Sequence, residues 1–262
     1  MNNCKIVAIA NQKGGVAKTT TAINMAYGLK EDGKRVLLVD LDPQNSLTTL
    51  MGIMNPDSLK FAINNLFNAF IRDDDMPEKE NCLIHCKNGI DLIPSNIELS
   101  TAEINLISAM SREFILKNIL ESYNDGYDYI IIDNDPHLGL LMINALAAAD
   151  MVIIPTKLEY PDLKGLTLLT KSIRRVKKRL NPQLEFGGIL ITMCNERTNL
   201  SRQVLAELNK AYGRDINIFK SIIPLTTKVG EANLSRKSIF EYCPTCKAAV
   251  TYKGFVKEFE AL

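Results

Sequence analysis

The start of the chain constrains its fold more than any other stretch. An apolar, β-branched run, Cys4–Ala10 (CKIVAIA), passes directly into Asn11-Gln12-Lys13-Gly14-Gly15-Val16-Ala17-Lys18-Thr19-Thr20-Thr21, and helix-forming residues continue to about Lys30. A buried strand, a glycine-rich turn and a helix opening on Lys-Thr form an anion site. Backbone N–H groups and the positive helix end wrap phosphates, the lysine neutralises them, and the threonine hydroxyl can ligate Mg²⁺. The pattern GxxxxGK[ST] is not met, because Gln12 and Ala17 stand at its two glycines. The spacing is instead K-G-G-x-x-K-T, with an extra lysine, Lys13, opening the loop.

Further apolar runs of buried-strand length are Arg35–Val39, Tyr129–Ile132, Met151–Ile154 and Gly188–Met193. Helix-length segments lie between them, near 139–148, 163–180 and 200–211. Strands that are apolar throughout and alternate with helices predict an α/β fold, a mostly parallel twisted sheet covered on both faces, of the P-loop NTPase type. Residues 55–125 are less regular, with an acidic loop at Arg72–Glu80, an expected hairpin at Cys82–Ile93 and helices on either side. With no repeat, low-complexity tract or Gly/Ser linker, residues 1–262 read as one domain. A chain that opens on its first strand leaves no room for an N-terminal helix-turn-helix module.

Composition narrows the class. Hydrophobic residues at 46% and charged residues at 23% are globular values, which excludes a disordered or collagen-like chain. Lys plus Arg at 31 against Asp plus Glu at 30 gives a net charge of +1, so a globally basic nucleic-acid binder is excluded while a local basic patch is not. No apolar stretch reaches membrane-span length, and the first fifteen residues do not form a signal peptide. Six cysteines scattered through such a chain read as reduced cytosolic thiols. Cys82/His85/Cys86 and Cys243/Cys246 superficially offer metal ligands, but zinc needs four such groups converging and the clusters lie in different parts of the chain, so structural or surface thiols are the expectation.

Lys13–Thr21 resembles the signature loop of the ParA/Soj partition ATPases, within the wider group that includes MinD and the nitrogenase iron protein. The resemblance runs along nearly the whole chain. Val39-Asp40-Leu41-Asp42-Pro43-Gln44 is similar to the family's second nucleotide motif, and Tyr127–Asp133 to its Walker B strand. Leu138–Leu141 with Ile143–Leu146, then Ile154-Pro155, Glu159-Tyr160, Thr192-Met193, Arg197–Leu200 and Ile223-Pro224, follow in the family's order.

The resemblance implies ATP and Mg²⁺ as cofactors. Gly14, Gly15, Val16, Ala17 and Thr20 would wrap the phosphates with Lys18 as clamp, while Lys13 would reach the nucleotide of a second subunit. Thr19 and Asp133 would hold Mg²⁺, Asp40 would support the metal shell, and Asp42 would position the attacking water. Met193 and Pro224 would flank the adenine, although each is equally a core or loop residue on its own chemistry. Arg197 and Lys228 occupy positions where basic residues of the family contact DNA. Independently of the resemblance, Lys171, Arg174, Arg175 and Lys178 follow i, i+3, i+4, i+7 spacing, opposite an apolar face of Leu166, Leu169, Ile173, Val176 and Leu180. That stripe is either a polyanion surface or an ordinary solvated helix back.

Three departures from the family pattern stand out. Ala17 occupies a glycine position, Asn134-Asp135-Pro136-His137 replaces a segment that usually carries two prolines, and Pro161-Asp162-Leu163-Lys164-Gly165 replaces an Ala-Leu-Glu-Gly-like stretch. The implied function is a DNA-partitioning switch in the cytoplasm, associated with the nucleoid. It would be an ATP-bound homodimer that binds DNA without sequence preference and hydrolyses ATP when stimulated by a ParB-like partner. A MinD-like membrane ATPase would need a basic amphipathic C-terminal helix, whereas the chain ends on the mixed-charge Lys253–Leu262, so no membrane contact is expected. A dethiobiotin-synthetase-like ligase on the same scaffold is the third reading; Lys13 and Arg197–Leu200 argue against it.

Overall fold

Residues 4–262 are described by a computed structural model; Met1–Asn3, part of the stretch read for a signal peptide, lie outside them. The apolar runs form one sheet of eight strands. They are β1 (Lys5–Ile9), β2 (Val36–Leu41), β3 (Ile84–His85), β4 (Asp91–Ile93), β5 (Tyr129–Asn134), β6 (Met151–Thr156), β7 (Glu185–Cys194) and β8 (Ile218–Pro224). Their order is β3-β4-β2-β5-β1-β6-β7-β8, and every pairing is parallel except β3 with β4, which is the hairpin expected at Cys82–Ile93.

Helices cover both faces, as strands without a polar side require. On one face, Ile6, Ala8, Leu37, Val39, Ile130, Ile132 and Ile154 pack under α3 (Ile63–Arg72), α4 (Leu99–Leu106), α5 (Ile115–Glu121), α6 (Leu140–Ala148), α7 (Tyr160–Arg179) and α8 (Asn199–Tyr212). The alternate residues Val7, Ile9, Leu38, Ile131 and Ile153 face α1 (Lys18–Glu31), α10 (Ile239–Tyr242) and α11 (Lys247–Glu260). Short helices α2 (Ser46–Leu50) and α9 (Thr227–Leu234) follow β2 and β8. In α7 the buried Leu166, Leu169, Ile173 and Val176 form the apolar face read from spacing, and Leu180, partly buried, follows the helix.

The C-terminal Lys253–Leu262, short and mixed in charge as a sequence, belongs largely to α11. Ala248, Ala249, Tyr252, Phe255, Val256 and Phe259 are all buried against α1 and β8. A Cβ at Gly28 would lie 2.6 Å from Val256 Cγ2, so α1 and α11 approach closely only because residue 28 has no side chain. No helix among the described residues is long and apolar enough to cross a membrane.

Candidate nucleotide site

Strand register assembles the site. Ile9 in β1 and Asp40 in β2 are both the pairing partners of Asp133 in β5. Paired residues of a parallel sheet lie at one level, so the loop after β1, the end of β2 and the end of β5 meet at the carboxyl edge of the sheet, where open α/β sheets bind ligands. The loop itself is braced from below. Asn11 Nδ2 donates to Pro155 O at 2.7 Å, Asn134 Nδ2 to Ile9 O at 3.1 Å, and Thr192 Oγ1 to Val16 O at 3.0 Å. Gly14 and Gly15 are exposed at its rim, and Gly15 adopts φ 68°. Ala17 takes the left-handed conformation, φ 64° and ψ 35°, immediately before α1. Thr20, in the first turn of α1, is buried and accepts from Asn233 Nδ2 at 3.4 Å.

Lys18 is buried at the first position of α1, and its Nζ folds back onto Lys13 O at 3.4 Å. Burial lowers its pKa, against the charges of Asp133, Asp42 and Asp135. Asp133 is buried, and neither carboxylate oxygen has a hydrogen-bond donor. Its pKa is pushed well up, first by burial and then by the Asp40 charge, with Thr19 and Lys18 opposing. Two unpartnered oxygens, with the Thr19 hydroxyl and Lys18 close enough to act on them, suit a hard cation with oxygen ligands.

Asp40 differs. Its Oδ2 accepts from Thr48 N at 2.8 Å and Thr48 Oγ1 at 2.7 Å, and its Oδ1 accepts from Asp42 N at 3.2 Å. Burial raises its pKa to about 7 despite these donors. Asp42 is only half-buried, and its Oδ1 accepts from Gln44 N at 2.9 Å. Asp135 adds a fourth carboxylate. Burial raises its pKa, while the His137 ring at 3.0 Å and the His137 N–H at 3.1 Å counteract this.

A family model described as an AAA domain matches residues 4–186. The sporulation initiation inhibitor protein Soj of Bacillus subtilis (strain 168) is 44% identical over 257 residues, covering 98% of each chain. The chain belongs to the ParA/Soj family of P-loop ATPases. The chromosome partitioning protein ParA of Myxococcus xanthus is 38% identical, over 97% of this chain and 87% of its own length. Among solved structures, a cobyrinic acid a,c-diamide synthase from Mycobacterium smegmatis, with bound ATP analog and magnesium, is 35% identical at a TM-score of 0.83. It covers 97% of this chain and 93% of that one.

This ParA/Soj-type protein is an ATPase that uses ATP and Mg²⁺. Its remaining sequence-derived site residues fall into three groups. Lys13 stands beside the loop but turns to α7, where its Nζ lies 3.1 Å from Glu159 Oε2 and also contacts Asp162 Oδ1. Met193, at φ 51° and exposed near the end of β7, neighbours the β8 end through the Cys194–Pro224 pairing. The third group is basic. Arg197 is exposed in the turn before α8, and Lys228 is exposed at the start of α9, held by Glu231 at 2.7 Å.

Lys171, Arg174, Arg175 and Lys178 line a groove of about 760 Å³ between α7 and α8, with Arg179 and Tyr212; Arg174 is tied to Asp215 at 3.0 Å. This groove is separate from the P-loop. Three side chains at the nucleotide site carried no sequence role: Thr48, which holds Asp40, and Glu159 with Asp162, which hold Lys13. Asp162 stood out only as a departure from the family pattern. Among the described residues no group of three or more His, Cys, Asp or Glu side chains is placed to hold a metal ion.

Proposed function

We propose that the chain is a DNA-partitioning switch. With ATP bound it closes into a sandwich homodimer that binds DNA without sequence preference. A ParB-like partner then stimulates hydrolysis and releases the dimer. It works in the cytoplasm on the nucleoid, without membrane contact, through one ATPase domain. The observation that carries this reading is the match to Soj over 98% of both chains.

In this reading Lys18 clamps the phosphates, and Gly14 to Ala17 with Thr20 wrap them. Thr19 and Asp133 hold Mg²⁺. Asp42 orients water, with Asp40 behind it. Lys13 completes the partner's site, while Met193 and Pro224 flank the base. Arg197 and Lys228, with the Lys171, Arg174, Arg175 and Lys178 stripe, supply phosphate contacts. Mg²⁺, when bound, neutralises charge developing on the transferred phosphoryl group.

The test is DNA binding with ATP, ADP and no nucleotide at several salt concentrations. A dimer engaging about six phosphates gives a log–log salt slope of roughly −5. Arg197→Ala and Lys228→Ala should each weaken binding to all sequences alike and flatten that slope. Binding that ignores the nucleotide, or an unchanged slope in the double variant, contradicts the reading. Phosphate release without an added co-substrate separates it from a ligase, and failure to sediment with liposomes from a MinD-like ATPase.

A further inference from the structure

Asp162 is a buried carboxylate with an unusual dependence. It sits in the first turn of α7 with its side chain 1% exposed, and apart from Lys13 no donor reaches either of its oxygens among the described residues. Its ion partner is the Lys13 ammonium, which comes from the loop after β1 and is itself 38% exposed. Glu159, exposed at 54%, is a second carboxylate on the same cation at 3.1 Å. Asp162, more than Glu159, holds the Lys13 ammonium above the ordinary lysine range. The asymmetry matters. Lys13 can leave towards solvent at little cost, but Asp162 cannot follow it, and a buried charge stripped of its partner is strongly unfavourable.

We infer that Asp162, seconded by Glu159, is a positioning residue that docks Lys13 within its own subunit and thereby sets the ATP concentration at which the dimer forms. The inference rests on the proposed reach of Lys13 to the partner's nucleotide. Lys13 cannot serve both places. The docked population is therefore a competitor that reduces the fraction of chains ready to pair, and apparent affinity falls in proportion to that fraction. Weakening the dock favours the dimer at lower ATP.

Asp162→Asn keeps the size of the side chain and removes its charge. Lys13 acetylation by acetic anhydride in the nucleotide-free protein, read by mass spectrometry, measures docking directly. Sedimentation against ATP concentration measures pairing. Lys13 should be acetylated several-fold faster in the variant, and half-maximal dimerisation should need about five-fold less ATP. Glu159→Gln, at an exposed position, should move both readouts the same way by less, and it keeps the test decidable if Asp162→Asn does not fold. Unchanged acetylation shows that no dock exists. Faster acetylation with an unchanged or raised ATP requirement shows a dock that does not gate pairing. Either result overturns the inference. Lys13→Ala dimerising like the wild type sinks the underlying role of Lys13 instead, and the acetylation result stands apart from that failure.

Discussion

Ala17→Gly probes the strained point of the phosphate loop. Ala17 sits at φ 64°, ψ 35°, where its Cβ crowds the following carbonyl oxygen. That conformation costs an L-residue about 1–2 kcal/mol, which glycine escapes. Glycine also makes the unfolded chain more disordered, which returns about 0.4–1 kcal/mol. The difference leaves the variant more stable by about 0.5–1 kcal/mol. In urea unfolding of the nucleotide-free protein the midpoint should rise with an unchanged slope, because the surface exposed on unfolding is the same. Turnover has a ceiling from the same number. Full relief of that strain of about 1–2 kcal/mol in the transition state alone is worth about five- to thirty-fold in rate, so the increase should not exceed about thirty-fold. A variant that unfolds at lower urea than the wild type would refute the argument, since Ala17 would then carry no left-handed strain in solution.

Lys18→Ala should lower ATP affinity at least about 100-fold by isothermal titration, because the loop loses its buried charge-assisted donor; a drop under about ten-fold contradicts the clamp role. Asp42→Ala should retain ATP within a few-fold and accumulate as a dimer, with hydrolysis strongly reduced in a phosphate-release assay. A native rate would remove Asp42 from water positioning. Asp40 gives a pH signature. Its folded pKa of about 7 lies above the unfolded value of about 4. The folded state therefore binds the proton more tightly, and the nucleotide-free protein loses stability as pH rises from about 4 through 7. Asp40→Asn should remove about 3 kcal/mol of that loss between about pH 5 and pH 8, read from urea midpoints; an identical pH profile in both proteins would show that Asp40 is already ionised.

The parts of the fold that were legible in the sequence are those whose physics is local. Strands buried on both faces must be apolar at every position, and a phosphate loop must place its glycines, lysine and threonine within one turn of chain. The segment from β8 to α11 obeys neither rule. β8 is the last strand in the sheet order, and Lys220 and Ser221 break its apolar run. Their N–H groups are satisfied by Glu258 of α11, at 2.7 and 2.8 Å. A glutamate that reads as part of a mixed-charge tail is thus bonded to that strand, while Tyr252, Phe255 and Phe259 on the same helix are buried. The Lys13–Asp162 pair was beyond reach for a related reason. Its two residues meet only because β1 and β6, whose connections lead to the loop and to α7, lie side by side in the sheet.

The three carboxylates of the two strand-end motifs look equivalent as letters, and the structure separates them by what their oxygens already hold. Asp40 accepts three hydrogen bonds, two from Thr48 and one from the Asp42 backbone, so its bonding capacity is used in fixing the chain around Asp42. Asp42, half-buried, uses Oδ1 on Gln44 N, and no hydrogen bond to its Oδ2 is seen among the described residues. Asp133 accepts none, although it is the pairing partner of Asp40 and fully enclosed. A buried carboxylate with no donor is costly to leave bare. It is tolerable beside Lys18 and Thr19, and most stable when a cation arrives. In the proposed mechanism the division of labour among the three rests on that inventory: Asp133 would take the ion, Asp40 holds the chain around Asp42, and Asp42 would turn its remaining oxygen toward a reactant.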